Sequence, residues 1–201
     1  MEPSIGSPSR RPANPSCEDR RRFGRPSPAV WVPDLLRFEQ DRRGTGPRIP
    51  TSGVVRQTTG VGHDRIPFPL LAELPDALRD VILDFHWDLD RLHALQLPER
   101  ELSLEELRWL LELPFWAVDG RPFRVTPASV AANPESHRDQ WLRTMASDLR
   151  FPLDCYLGPG GRVTVLDGVH RLLKASVLGC RTVRVRIVSE ADFDAIAVRA
   201  G

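Results

Sequence analysis

The density of apolar residues along the chain changes near residue 65. By count, roughly a quarter of residues 1 to 65 are apolar, against about half of residues 66 to 201. A segment folds only when buried apolar surface offsets the conformational entropy that it loses. The pattern therefore predicts a folded domain over 66–201 and a disordered tail over 1–65.

The clearest periodicity begins at residue 153. Two short apolar runs, Leu153 to Leu157 and Arg162 to Leu166, flank a glycine-rich turn and predict a β-hairpin. Val169 to Leu178 then repeats apolar residues at helical spacing, and Gly179 follows as a typical C-terminal cap. We therefore expect a hairpin that leads through a sharp turn into a helix.

A last strand is predicted over Thr182 to Val188. Its valine and isoleucine residues alternate with Arg184 and Arg186, which is typical of a half-buried strand with both arginines facing solvent. Hairpin, helix and strand together favour an α/β (α+β) fold, a small mixed sheet with packed helices.

The pattern between residues 66 and 119 is weaker and predicts a helical lead-in. It favours a helix over Asp76 to Leu83 and a strand over Leu92 to Leu97. Ser103 with Glu106 has the spacing of a capping box. That box would open a helix whose inward residues are Leu104, Leu107, Leu110 and Leu111.

The core that carries the main motif is predicted over 120–190. It begins with a strand over Phe123 to Val130 that Pro127 interrupts. Asn133-Pro134 has the order of an N-cap followed by a proline in the first helical position, and so predicts a second helix start. The buried face of that helix is predicted to be Trp141, Leu142, Met145 and Leu149.

Charge divides at the same boundary as hydrophobicity. Residues 1 to 65 hold twelve arginines and seven acidic residues, and residues 66 to 201 hold sixteen basic and twenty acidic residues. A basic, proline-rich tail could contact nucleic acid or a protein partner. The alternatives are a disordered extension without a partner, or a start codon assigned too far upstream. The acidic balance of the folded part argues against DNA as its partner.

The cysteines and the lengths of the apolar runs indicate which cellular compartment to expect. Three cysteines, Cys17, Cys155 and Cys180, lack the spacing of a metal or redox motif, so a reduced, cytoplasmic protein without a cysteine metal site is expected. No apolar run reaches about 18 residues, so no membrane span is expected.

The turn after the hairpin has the chemistry of an anion site. Free amides and the positive dipole end at a helix start attract negative oxygen atoms, and Gly168 would let the backbone approach a ligand closely. His170 and Arg171 lie in the first turn of the predicted helix, where the helix dipole disfavours positive charge. A bound phosphate that accepts hydrogen bonds from both side chains would explain their position. The alternative is that Asp167 caps the helix and Arg171 is solvated.

Two further groups have alternative interpretations. His86, Asp88 and Asp90 alternate along the chain, and Asp88 or Asp90 could bind Mg²⁺ or act as a general base. The alternative is that they form a polar strand edge or a helix entry. A set of aromatic residues could stack a base or pack in the core, namely Trp109, Phe115, Trp116 and Trp141.

Over residues 120 to 190 the chain resembles the ParB/sulfiredoxin superfamily. The resemblance is carried by the hairpin, by Asp167-Gly168-Val169-His170-Arg171, by Leu178-Gly179 and by the final valine-rich strand. It implies that Asp167, Gly168, His170 and Arg171 bind a nucleotide phosphate, with CTP, ATP or ADP as ligand and Mg²⁺ as a companion ion. A phosphotransferase or nucleotide hydrolase is the first hypothesis, and a non-catalytic nucleotide-sensing or partner-binding module is the alternative.

The departures from the superfamily limit what it implies. Sulfiredoxin has its catalytic cysteine immediately before His-Arg, where this chain has Val169, so thiol reductase chemistry is not expected. ParB also has an Glu-Asn-x-x-Arg motif and a helix-turn-helix domain, and the sequence reaches Gly201 without either. A DNA clamp driven by CTP is therefore not expected.

Overall fold

The computed structural model describes residues 64–200. In chain order the elements are α1 (Asp76–Arg79), α2 (Leu89–Ala94), β1 (Glu99–Ser103), α3 (Leu104–Leu107), β2 (Trp116–Val118), β3 (Arg121–Val125), α4 (Pro127–Ala132), α5 (Arg138–Ala146), β4 (Leu153–Leu157), β5 (Val163–Asp167), α6 (Val169–Val177), β6 (Thr182–Val188) and α7 (Phe193–Ile196). The predicted tail lies outside the described residues except for Asp64 and Arg65.

The main sheet has four strands in the order β1, β6, β4 and β5. β4 runs parallel to β6 and antiparallel to β5, and β1 runs antiparallel to β6. The parallel pair requires a crossover, which the β5 strand and helix α6 supply. A separate two-stranded sheet pairs β2 with β3. The predicted mixed α/β architecture is therefore confirmed.

The hairpin, helix and final strand form where their pattern predicts them. Glycines at positive φ, Gly160 and Gly161, allow the chain to reverse between β4 and β5. Helix α6 ends before Gly179, which has a φ of 69° and is the expected C-terminal glycine. Leu172 and Leu173 turn the buried face of α6 into the core, whereas Val177 is exposed.

One continuous core joins the lead-in to the sheet. It includes all four leucines predicted to face inward from the helix after Ser103. Those leucines lie on α3 and on a 3₁₀ helix over Arg108–Glu112 that continues it. The capping box is not formed, because Ser103 accepts instead from the amide of Glu105. Burial of the leucine side chains therefore stabilises the helical conformation of this segment without the predicted capping box.

One predicted strand is wrong, and another is too long. The expected strand over Leu92 to Leu97 begins as the end of helix α2, because the Asp88 carboxylate accepts from the amide of Arg91 and starts a helix there. The expected strand Phe123 to Val130 stops at Val125. Thr126 then caps α4, and Pro127 is at its start.

The helix predicted from Asn133 is also wrong at its start. Asn133 ends α4 as its C-cap, and α5 begins five residues later at Arg138. Its inward face differs from the predicted one, because Leu142 and Met145 are exposed, whereas Trp141 packs against the core and Thr144 is fully buried. The cap-and-proline signature occurs twice in this stretch, and the occurrence at Thr126 is the one that begins a helix.

The first described residues belong to the packed domain. Arg65 forms a β-bridge with Arg199, its guanidinium lies 4.6 Å from the centre of the Phe85 ring, and its Nε donates to Asp194 at 2.9 Å. The domain therefore begins at least one residue before the predicted boundary. Within residues 64–200 no helix is long and apolar enough to cross a membrane.

Truncating Leu172 tests the core. Leu172→Ala should lower the free energy of unfolding by about 2–5 kcal/mol, because the side chain is fully buried and leaves a cavity. Leu142→Ala is the matched control, since Leu142 is 54% exposed on α5, and should change it by less than about 1 kcal/mol. Urea denaturation of both variants measures the difference, and equal losses would contradict the described burial.

Candidate functional site

The strand-to-helix turn depends on a glycine. β5 ends at Asp167, and Gly168 is the N-cap of α6 with a φ of 109°. A Cβ at this position would lie 2.7 Å from Cδ2 of Leu153 and 2.8 Å from Nη2 of Arg171. Both the backbone conformation and the lack of space therefore require glycine here. The turn is a rigid, closely packed feature.

Three strands place a row of charged side chains next to this turn. Asp154 on β4 lies opposite Asp167 on β5 and beside Arg186 on β6. Both carboxylates are almost fully buried, at 2% and 3% exposure. Arg186 donates from Nε to Oδ1 of Asp154 at 2.8 Å, and its side chain is only 12% exposed, so the predicted solvent-facing position is wrong. Burial raises the pKa of Asp154, and Arg186 opposes that shift.

Arg171 compensates the second carboxylate. Its Nη2 donates to Oδ2 of Asp167 at 3.1 Å and to the carbonyl of Pro152 at 3.0 Å. The predicted capping role of Asp167 is wrong, because Gly168 is the N-cap and no side chain caps α6. The alternative of a solvated Arg171 is also wrong, since that residue is 7% exposed. Arg171 therefore ties the start of α6 to the ends of β4 and β5.

His93 completes the cluster from the last turn of α2. Its Nε2 lies 3.0 Å from Oδ2 of Asp167 and 3.8 Å from Oδ2 of Asp154, and its side chain is 42% exposed. The hydrogen bond to Asp167 raises the pKa of His93, while partial burial opposes the shift. A half-exposed imidazole thus covers two buried carboxylates.

His170 lies on the other side of the turn and is buried. Its ring stacks on Trp116 with the ring centres 4.5 Å apart, and its Nδ1 lies 3.0 Å from Oγ1 of Thr144. Burial, aided by the charge of Arg143, lowers the pKa of His170 to about 4. The imidazole is therefore neutral at pH 7 and fixes α6 against β2 and α5.

The other predicted candidates lie apart from this cluster. Asp88 caps α2 and Asp90 is exposed in its first turn, so both occupy the helix end opposite His93. The helix-entry interpretation of this segment is therefore confirmed. Core packing is confirmed for the aromatic set, since Trp109, Phe115, Trp116 and Trp141 all lie in or against the core.

Sequence reasoning missed three residues of the cluster. Asp154 and Arg186 are hidden within apolar strands, and only the strand order brings them beside Asp167. His93 was assigned to a strand. The Asp88 cap followed by Leu89 and Leu92 at helical spacing is the signal that could have placed His93 on a helix.

The arrangement places a group capable of acid–base chemistry, His93, next to the start of helix α6. His93 exchanges protons in a partly exposed position, and buried Asp167 holds its ring. The first amides of α6 have no intrahelical acceptor, as at any helix start, and begin at Val169, two residues after Asp167. Comparison with protein-family models, curated proteins and solved structures gives no match for this chain.

Removing Arg186 tests the buried ion pair. Arg186→Met should lower the free energy of unfolding by about 3–5 kcal/mol, because it leaves Asp154 buried without its cation. Arg184→Met is the control on the same strand, where the exposed pair with Glu99 contributes about 0–1 kcal/mol. Chemical denaturation at pH 7 compares them. Similar losses would mean that the buried row is not a major determinant of stability.

The buried state of His170 predicts a pH effect. Between about pH 6.5 and pH 4, His170 is protonated in the unfolded chain but neutral in the folded protein. This residue therefore lowers the free energy of unfolding as the pH falls. From pH 7 to pH 5 its contribution is about 2 kcal/mol. His170→Gln should remove that part of the pH dependence, and His137→Gln should retain it. Unfolding curves at the two pH values would refute this if both variants behaved like the native protein.

Proposed function

We propose that the chain binds the phosphate of a nucleotide at the turn from Asp167 to Arg171. The observation that carries the proposal is the start of α6, a nine-residue helix whose N-cap, Gly168, provides no side-chain acceptor. Helix-start amides attract phosphate through hydrogen bonds and the helix dipole. The resemblance of residues 120 to 190 to the ParB/sulfiredoxin superfamily supports the same ligand class.

The side chains of the turn divide into two roles in this proposal. The amides of Val169 and His170 contact the phosphate directly. Arg171 adds positive potential, and its hydrogen bonds to Asp167 and Pro152 hold the turn in shape. His170 positions α6 by stacking on Trp116. The nucleotide is CTP, ATP or ADP, accompanied by Mg²⁺, and a cytoplasmic location fits that supply.

His93 supports the catalytic form of the proposal, a phosphotransferase or nucleotide hydrolase. An activating base must lie within reach of the attacking hydroxyl or water. His93 hydrogen-bonds to the residue immediately before Gly168, whereas Asp88 and Asp90 lie at the opposite end of α2. His93 thus replaces those two aspartates as the proposed base. If nucleotide binds without turnover, the non-catalytic sensing function takes its place.

A charge placed at the start of α6 tests the phosphate site. Val169→Asp should reduce nucleotide affinity at least tenfold, because a carboxylate then competes for the same amides. Val169→Asn has nearly the same shape without the charge and should bind more tightly than Val169→Asp. Val177→Asp adds the same charge at the far, exposed end of α6 and should bind as the native chain does.

The measurement is calorimetric titration of the full-length chain with ATP, CTP and ADP, in EDTA and again with Mg²⁺. Circular dichroism checks that each variant is folded. Product analysis after incubation with the bound nucleotide separates hydrolysis or transfer from simple binding. Absence of binding by the native protein, or equal affinities for Val169→Asp and Val169→Asn, would rule out the proposed site.

A further inference from the structure

His93, Asp154 and Asp167 have the geometry of a three-ligand metal site. One potential ligand atom from each of them, a histidine nitrogen or a carboxylate oxygen, lies within 4.8 Å of the other two. They come from three separate elements, α2, β4 and β5, so the fold itself assembles the set. A cation about 2 Å from each atom would be reached by small side-chain movements.

One oxygen of Asp154 receives no hydrogen bond from the described residues and lies on the side of His93. Asp154 directs Oδ1 to Arg186 but accepts no hydrogen bond at Oδ2 from any of residues 64–200. That oxygen faces Nε2 of His93 at 3.8 Å, which is beyond hydrogen-bonding distance. Asp154 as a residue is only 2% exposed, so a cation bound at this oxygen would replace hydration that the carboxylate loses on folding.

The two arginines act as the outer layer that such sites require. Arg186 donates to Oδ1 of Asp154, and Arg171 donates to Oδ2 of Asp167, the same oxygen that lies 3.0 Å from Nε2 of His93. Outer hydrogen bonds of this kind orient ligand carboxylates and keep them ionised. Neither arginine contacts Oδ2 of Asp154, the oxygen that lies 3.8 Å from Nε2 of His93.

We infer that His93, Asp154 and Asp167 bind one divalent transition cation, Mn²⁺ or Zn²⁺. The imidazole nitrogen selects against Mg²⁺ and Ca²⁺, which prefer oxygen ligands throughout. Three protein ligands leave coordination positions open for water or a ligand oxygen. The cation would be distinct from the Mg²⁺ that accompanies a nucleotide in solution.

The charge balance connects this site to the proposed phosphate site. Two carboxylates and two arginines sum to zero, so a bound divalent cation gives the cluster a net charge of +2. Gly168 follows Asp167 directly, so that positive charge lies next to the amides of α6. Metal and phosphate should then each increase affinity for the other. This coupling rests on the proposed function, whereas binding of the cation alone does not.

Titration of the full-length chain with Mn²⁺, without nucleotide, tests the inference. The electron paramagnetic resonance signal of free Mn²⁺ should disappear up to one equivalent, and Zn²⁺ should displace it. Pulsed measurements on the bound ion should show coupling to an imidazole nitrogen. His93→Gln, at the exposed edge of the cluster, should weaken binding at least tenfold. His86→Gln is the matched control and should bind as the native chain does.

Three results would overturn the inference: no binding of either ion at millimolar concentration, equal affinities for His93→Gln and His86→Gln, or bound Mn²⁺ without nitrogen coupling. Pulsed measurements on the native chain keep the test decisive if His93→Gln folds poorly. Nucleotide titration in EDTA reports on the phosphate site separately. If the protein binds the nucleotide but not the cation, or the cation but not the nucleotide, the result identifies which of the two proposals is wrong.

Discussion

The central constraint on this structure is the burial of two carboxylates that face each other across β4 and β5. Asp154 and Asp167 are opposite neighbours in the sheet and are almost completely removed from water. Like charges in that position repel, and each lacks the hydration that it has in the unfolded chain. Arg186 and Arg171 make the arrangement stable by supplying a guanidinium to each. The sheet order, the turn and the start of α6 all depend on these two pairs.

The ion pair between Arg171 and Asp167 also fixes the shape of the turn before α6. Arg171 occupies the space that a side chain at residue 168 would need, so the ion pair and the glycine require each other. The helix then begins without a capping side chain, directly beside two carboxylates and a half-exposed imidazole. Backbone donors, a guanidinium and the imidazole of His93 are thereby brought close together in space. That combination is what supports both a phosphate and a cation as ligands.

The roles of individual residues differ from a simple interpretation of the motif. His170 and Arg171 stand in the sequence as two cations ready to hold an anion. In the fold, His170 is neutral against Trp116, and Arg171 contacts Asp167 and Pro152. Both therefore stabilise the site, and in our proposal the direct contact passes to the backbone. The acid–base role moves from Asp88 and Asp90 to His93, at the opposite end of the same helix.

Local pattern alone determined the hairpin, helix α6, strand β6 and the glycines at residues 168 and 179, because each depends on neighbours within a few positions. It predicted a strand where α2 ends, and it misplaced the start of α5, where a cap followed by a proline occurs at two nearby positions. Only the tertiary structure decided which charges meet. His93 precedes Asp154 by 61 residues along the chain, and Arg186 follows Asp154 by 32 residues. No local spacing encodes that meeting, since the order of strands in the sheet creates it.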